Sequence, residues 1–350
     1  MSKSKSKTVR GLIVNGLLVV LAFSLLGFTV WRNWTDVRKV FSHWPDFRLL
    51  AAAFAAYMLG ISISFARWYG LVRVIDRRFR LGQAFLLGFI GNVFNLVIPG
   101  AVGGDFIKAA YLVRMDINRT QAVASMVIDR IVGLLGLFLL AGIAGAIAWP
   151  VAGPQVRILI GVAWAAVGAG FLVLTLIFTQ ALTRAFPRLT QGHSRRSGIL
   201  SELKVMSSTY RARLDVVAIA LASSVMVHLL MTTAFYFMSQ AIFTTSVPSY
   251  TRHLLFVPLT LFTTAVPLPF GALGLTENVS GQLGRMVSHP NGVLAMLGFR
   301  VLMYGGALLS AAVYFANLRQ VRSLTETAEE LQEELEENEL GNPDEDPRAA

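Results

Sequence analysis

Long apolar runs separated by short basic or uncharged segments set the pattern of this chain. Six runs are long enough to cross a bilayer as single helices: 11–31, 48–66, 120–148, 155–179, 215–242 and 292–317. About 20 apolar residues, rising 1.5 Å each, cover a hydrocarbon core of roughly 30 Å. The first run follows Lys3, Lys5, Lys7 and Arg10, like the opening of a signal peptide. It is long, however, and Phe28–Trp34 offers no small-residue cleavage site, so a retained anchor is expected. Two further stretches are broken. The stretch 81–113 is interrupted at Pro99-Gly100-Ala101-Val102-Gly103-Gly104-Asp105, and 252–288 at Pro267-Leu268-Pro269-Phe270-Gly271-Ala272-Leu273-Gly274. Proline and glycine at this density end a helix rather than bend it. Non-helical backbone at membrane depth persists only inside protein or beside water. Each stretch therefore reads as a re-entrant hairpin or a pair of short spans, and both options return the chain to the side it left. The fold class is an all-α polytopic integral membrane protein, with about six full spans plus two Pro/Gly-tipped re-entrant hairpins.

Composition narrows the chemistry. Of 350 residues 55% are hydrophobic, 15% are charged and none is cysteine. Soluble domains carry about 25% charged residues. Disulfide frameworks and thiolate metal sites are excluded, and no metal or other cofactor is expected. No Gly-x-x-x-x-Gly-Lys-Ser/Thr loop is present, so the chain has no recognisable ATPase of its own.

The net charge is +11, but eleven of the twenty acids lie between Glu326 and Asp346. Up to Val321 there are 29 Lys and Arg against 9 Asp and Glu. With these spans, such a balance points to membrane and not to nucleic acid. Arg67–Arg80 holds five arginines and 180–214 holds seven Lys and Arg, whereas Trp149–Gln155 and Phe243–Tyr250 hold no charge. The positive-inside rule places the N-terminus, both basic loops and the C-terminus in the cytoplasm. The expected location is the inner (cell) membrane of a bacterium. Segment 32–48, with Arg32, Arg38, Lys39 and Arg48, then falls outside. The chain divides into a membrane domain, 1–319, and an acidic cytoplasmic tail, 320–350. In the tail Leu324, Ala328, Leu331 and Leu335 recur at helical spacing, but like-charge crowding favours a solvated segment.

The broken stretches align without gaps at an offset of 170, giving repeat units around 81–148 and 252–317. Pro99 falls on Pro269, Gly104 on Gly274, Val123 on Val293, Met126 on Met296, Arg130 on Arg300 and Gly136 on Gly306. In each unit a hairpin with Pro and Gly at its tip precedes a span with Arg in its first half. Entry from opposite sides makes this an inverted repeat, the recurring architecture of secondary transporters.

Asp105, Lys108, Asp129, Arg130, His228, Glu277 and Arg300 sit in or beside apolar stretches. An ionised group at the bilayer centre costs a few kcal/mol, so such groups are partnered or line a wet cavity. Asp105 opens the second arm of hairpin one, with Lys108 on the same face. Exposed N–H groups at that helix start suit a phosphate, although Asp105 also suits a cap. Asp129 and Arg130, adjacent in sequence, point apart and need separate partners. The planar guanidinium of Arg130 can grip two phosphate oxygens, and Arg300 holds the equivalent place in the second unit. Glu277 opens the second arm of hairpin two, where it can cap, carry a proton or hold a cationic headgroup. Lone His228 reads as a packed residue. Asn92 and Asn95 are placed to hydrogen-bond across the first tip. The tip residues themselves are Pro99, Gly103 and Gly104, then Pro269, Gly271 and Gly274.

Three segments in this order carry a family resemblance: Asn95-Leu-Val-Ile-Pro99-Gly-Ala-Val-Gly103-Gly104-Asp105, Asp129-Arg130-Ile-Val-Gly133-Leu-Leu-Gly136, and Pro267-Leu-Pro-Phe-Gly271-Ala-Leu-Gly274-Leu-Thr-Glu277. Together they resemble the membrane domain of lysylphosphatidylglycerol synthases, which also occurs alone in flippase-like membrane proteins. The resemblance covers about 45–320. It implies two re-entrant hairpins and movement of phospholipids or lipid-linked molecules between leaflets. The matching positions are Pro99, Gly103, Gly104, Asp105, Asp129, Arg130, Gly271, Gly274 and Glu277. Lys108 stands where the family commonly has Arg, Ala272 where it has a second Gly, and Thr276 where it has Arg. No counterpart of the synthases' soluble aminoacyl-transferase domain is present, so enzymatic activity is not expected.

The expected function is a lipid flippase, with membrane lipids, gripped by the headgroup phosphate, as its partners. Arg130, Lys108 and the start of the second arm would hold a headgroup phosphate, and Arg300 with Glu277 would receive it on the other side. Rival readings are an accessory subunit that docks a partner enzyme through the acidic tail, a small-solute secondary transporter, and a membrane-embedded transferase.

Overall fold

The computed structural model describes residues 17, 20–40, 42–97, 103–179, 207–244, 247–266, 268–319, 321 and 324. Helices are the only regular structure among them. They are α1 (Val20–Arg32), α2 (Trp34–Val40), α3 (Phe47–Ile75), α4 (Leu81–Val97), α5 (Gly103–Arg114), α6 (Arg119–Ala148), α7 (Pro154–Thr179), α8 (Leu214–Ile242), α9 (Tyr250–Phe262), α10 (Leu275–Met286) and α11 (Gly292–Ala316).

Five helices, α3, α6, α7, α8 and α11, have 25 to 30 residues. At 1.5 Å per residue each exceeds roughly 30 Å of hydrocarbon. The first expected span enters the described residues only as α1 and the isolated position 17. The span expected to end at residue 66 runs on to Ile75 without a break, carrying Arg67 inside the helix. That corrects the reading of Arg67 as the first residue of a basic loop. Asp46 caps α3, its side chain accepting from the backbone N–H of Arg48 at 2.8 Å and of Leu49 at 3.3 Å. Apolar side chains left open on several spans, such as Ile158, Ile219 and Leu308, form the faces a bilayer would wet.

The broken stretches end where Pro and Gly cluster. Their arms, α4 and α5, then α9 and α10, have 12 to 17 residues, and at least three of them are shorter than the hydrocarbon core is thick. Pro99 and the rest of 98–102 lie outside the described residues. The two arms of hairpin one meet at glycines. A Cβ on Gly104 would lie 2.3 Å from the carbonyl oxygen of Gly91, so α4 and α5 touch backbone to backbone. Asn95 Oδ1 accepts from the Gly104 N–H at 2.8 Å, spanning the tip as its position suggests.

Packing between the units is reciprocal. Each second arm lies on its own unit's span, α5 on α6 and α10 on α11. Each first arm also lies on the span of the other unit, α4 on α11 and α9 on α6. Helix α8 fills the centre, packed on α3, α6, α9 and α11. Three apolar clusters hold the bundle, centred on Phe235, Phe256 and Phe299, on Trp68, Phe79 and Ile107, and on Leu71, Ile128 and Val132. Val321 and Leu324 are buried in the second of these. The tail's start is therefore packed, a correction to the expectation of a segment solvated throughout. The rest of 320–350 lies outside the described residues.

Replacing Gly104 by Ala should cost about 1–3 kcal/mol of stability, because rigid backbone opposes the new methyl. The control Gly161→Ala has nothing within 4 Å of its Cβ. It should leave the melting temperature in detergent unchanged or raise it by up to about 1 kcal/mol equivalent.

Candidate functional site

Both second arms place a carboxylate at their third residue, Asp105 in α5 and Glu277 in α10. Each carboxylate meets an arginine from the span that follows. Arg130 Nε donates to Asp105 Oδ2 at 2.6 Å, and Arg300 Nε donates to Glu277 Oε1. The two pairs share a plan but differ in access.

The first pair belongs to a larger charged assembly. Lys108 Nζ lies 3.8 Å from Asp105 Oδ1 and 5.0 Å from the centre of the Trp68 ring. A cation over an indole face gains where water is scarce. Asp129 turns the other way and accepts two hydrogen bonds from Arg67, Nε at 2.8 Å and Nη2 at 2.9 Å. Arg67 Nη1 donates to Ser224 Oγ at 2.8 Å. Also packed between α8 and α6 is His228, whose Nε2 lies 3.1 Å from the Gly133 carbonyl. The adjacent residues Asp129 and Arg130 thus have separate partners, as their spacing requires. Among the described residues, α3, α5 and α6 contribute Arg67, Lys108 and Arg130 and the carboxylates Asp105 and Asp129 to these two groups. The Arg130 side chain is 41% exposed, against 16% for Asp105 and 12% for Lys108.

The second pair is closed. The side chains of Arg300 and Glu277 are 3% and 0% exposed. Glu277 Oε2 accepts from the Gly274 N–H at 2.6 Å, so the carboxylate caps α10 as well as pairing. Arg300 also donates to the carbonyls of Phe270 at 2.6 Å and Gly271 at 3.1 Å. Those carbonyls belong to a left-handed turn at the tip, with φ of 56° at Phe270, 63° at Gly271, 54° at Ala272 and 83° at Gly274. Phe270 and Ala272 there cost about 1–2 kcal/mol each, and the guanidinium holds their turn in place. Ala272 occupies a conformation that glycine would adopt freely. Thr276, fully buried, donates to the Ala272 carbonyl at 3.2 Å.

The expected site residues therefore fall into two groups about the two hairpins. Asp105, Lys108 and Arg130 come together with Gly103 and Gly104, whereas Asp129 faces away and pairs with Arg67. Glu277 and Arg300 come together with Gly271 and Gly274 and back onto the turn beginning at Pro269. They satisfy each other and the tip, so in this conformation they offer no open receiving site. Sequence reasoning missed Arg67, Trp68 and Ser224. The apolar residues Tyr69, Leu71, Val72, Val74 and Ile75, broken by Arg73, were the signal that Arg67 is inside a helix.

Removing one partner of a buried ion pair typically costs about 3–5 kcal/mol, whereas an apolar replacement of both costs far less. Arg67→Ala should therefore lower thermal stability strongly in detergent. The double variant Arg67→Met with Asp129→Leu should be more stable than either single substitution.

No curated protein matches the chain. The model of the lysylphosphatidylglycerol synthase transmembrane region matches residues 13–311, which include both hairpins, the charged pairs, four of the long spans and most of α11. The chain belongs to the family of the lysylphosphatidylglycerol synthase transmembrane region.

Proposed function

We propose that this membrane protein moves a lipid between leaflets, gripping its headgroup phosphate at Arg130 and Lys108 beside the start of α5. One juxtaposition carries the reading. An apolar groove of about 590 Å³ lies between α6, α7, α9 and α10, and its lining on α6 starts at Ile131, the residue after Arg130, and includes Leu134. Leu134 lies one turn beyond Arg130 on the same helix face. A half-open cationic site adjoining an apolar groove suits a molecule with an anionic head and an acyl chain. A small solute would use the first feature and waste the second.

The reciprocal packing of the hairpins supports an inverted repeat, with both hairpins re-entering from opposite sides. With the basic ends in the cytoplasm, the open Asp105–Arg130 pair faces inward and the closed Glu277–Arg300 pair faces outward. Alternation would open the second pair as the first closes, handing the headgroup across. Each arginine is already neutralised by its own acid, so a phosphate must compete with a carboxylate. That competition gives a reason for the site to change shape when loaded.

Proteoliposomes containing fluorescent anionic, zwitterionic and aminoacylated lipids test this. A hydrogen bond to a charged group is worth about 1.5–3 kcal/mol. Arg130→Ala should therefore slow translocation by about 10- to 100-fold, and Arg130→Lys by less. Removal of 325–350 should leave the rate within a factor of about two, since that rate is set at the hairpins. A folded wild type that moves none of these lipids would refute the proposal. If a cellular phenotype depended on the tail and not on Arg130, the accessory-subunit reading would replace it.

A further inference from the structure

His253, near the start of α9, and His289, in the connection from α10 to α11, lie side by side with ring centres 5.4 Å apart. Both are fully buried. His253 Nδ1 is 3.1 Å from the Ser249 carbonyl. A carbonyl can only accept, so Nδ1 carries the hydrogen and Nε2 is left as a bare acceptor. Among the described residues that Nε2 has no hydrogen-bond partner, and neither ring nitrogen of His289 has one. Three unpaired buried nitrogens in one place are expensive, and native structures retain few such groups without a reason.

The surroundings explain why no protein group supplies the missing bond. The rings of Tyr236, Phe243 and Phe256 pack around the pair, at 5.1 to 6.0 Å. From α8, the Tyr236 hydroxyl accepts from Gln240. From α9, Tyr250 is bonded to Thr233 and Arg252 donates to the Val287 carbonyl at 3.2 Å. No carboxylate pairs with either imidazole among the described residues. A metal ion would need more ligands than two, and no cluster of three or more candidate ligands exists among the described residues.

We infer that His253 and His289 form a proton-binding site that couples lipid movement to a proton gradient. The inference rests on the translocase reading and supplies the energy source that reading lacks. One proton added at His253 Nε2 creates an N–H that a bare nitrogen of His289 can accept, so the two imidazoles share a single proton. A second proton is opposed by like charge. The site bridges the two parts of hairpin two. His253 is on its first arm, and His289 joins α10 to α11, the helices that hold Glu277 and Arg300. A charge placed there is poorly solvated by aromatic rings, so binding favours a conformation in which the connection moves away from α9. Burial, and then the neighbouring His253, hold the His289 imidazole down to about 4 in the closed arrangement. A conformation that wets the pair returns it toward the ordinary histidine range, and that difference in proton affinity between states is what performs coupling.

Two measurements test this. In proteoliposomes with a pH gradient imposed in each direction, coupling of one proton per lipid should shift the lipid distribution about tenfold per pH unit. In His253→Gln and in His289→Gln the distribution should no longer respond to the gradient. His43→Gln, on the same end of the bundle and bonded to the Ile242 carbonyl, should respond like the wild type. Histidine-selective NMR titration in detergent should show the pair taking up one proton between them. Loss of either ring should change how the other titrates. The folded protein keeps His289 neutral, so its stabilising contribution is full above about 6.5 and falls as pH drops toward 4. The melting temperature should decline over that window in the wild type, and less in His289→Gln. Lipid movement with no gradient dependence, or rings that titrate independently near 6.5, would overturn the coupling and leave the translocase standing. A wild type that moves no lipid would sink the translocase instead, and the titration would still decide whether the pair shares a proton.

Discussion

An ionised side chain in a hydrocarbon layer must find its counter-charge within the protein, and this fold is arranged around that requirement. Each hairpin presents a carboxylate in the first turn of its second arm, and each following span answers with an arginine. A third pair, Arg67 with Asp129, ties α3 to α6 and reaches α8 through Ser224. The arms α5, α9 and α10 are too short to span the bilayer alone, and the left-handed turn at the second tip breaks the helical hydrogen-bond ladder. Charge pairing and reciprocal packing are what make them tenable. At the second tip the same arginine satisfies both demands, neutralising Glu277 and filling the carbonyls of Phe270 and Gly271.

The two units differ in one respect that bears on function. The Asp105–Arg130 pair of unit one leaves Arg130 partly open, while the Glu277–Arg300 pair of unit two is sealed. Two equivalent constellations in unequal states are what one conformation of an alternating device would contain. The basic segment 32–48 fits the same economy of charge, because Arg38 rests over the Trp34 ring at 5.4 Å. Aromatic anchors of that kind are at home at a membrane surface.

Most of the helical framework was legible in the sequence, because apolar run length and Pro/Gly breaks are local signals. Helix ends at 97, 103, 148, 179, 242 and 316 fall within a few residues of the breaks in those runs. What was hidden depends on partners far away in the chain. Arg67 looks like a loop residue until Asp129, 62 positions on, is seen to hold it. Arg300 looks like a ligand-binding group until its bonds to backbone carbonyls appear, and a carbonyl leaves no trace in a sequence. The role of Glu277 as a cap was among the readings its position allowed, whereas its complete burial was not foreseeable from one chain. The pairing of His253 with His289 was invisible for the same reason.

The central claim is that water from the cytoplasmic side reaches the Asp105–Arg130 pair while the Glu277–Arg300 pair is sealed. The chain has no cysteine, so a single introduced thiol reports without background. Val127 lies one turn from Arg130, and Met303 one turn from Arg300 beside Gly271. The most direct measurement is the labelling rate of Val127→Cys and Met303→Cys by a membrane-impermeant thiol reagent added from each side. The account predicts that Val127→Cys reacts from the cytoplasmic side and that Met303→Cys reacts from neither. Labelling of Val127→Cys only from outside, or of Met303→Cys as fast as Val127→Cys, would contradict it.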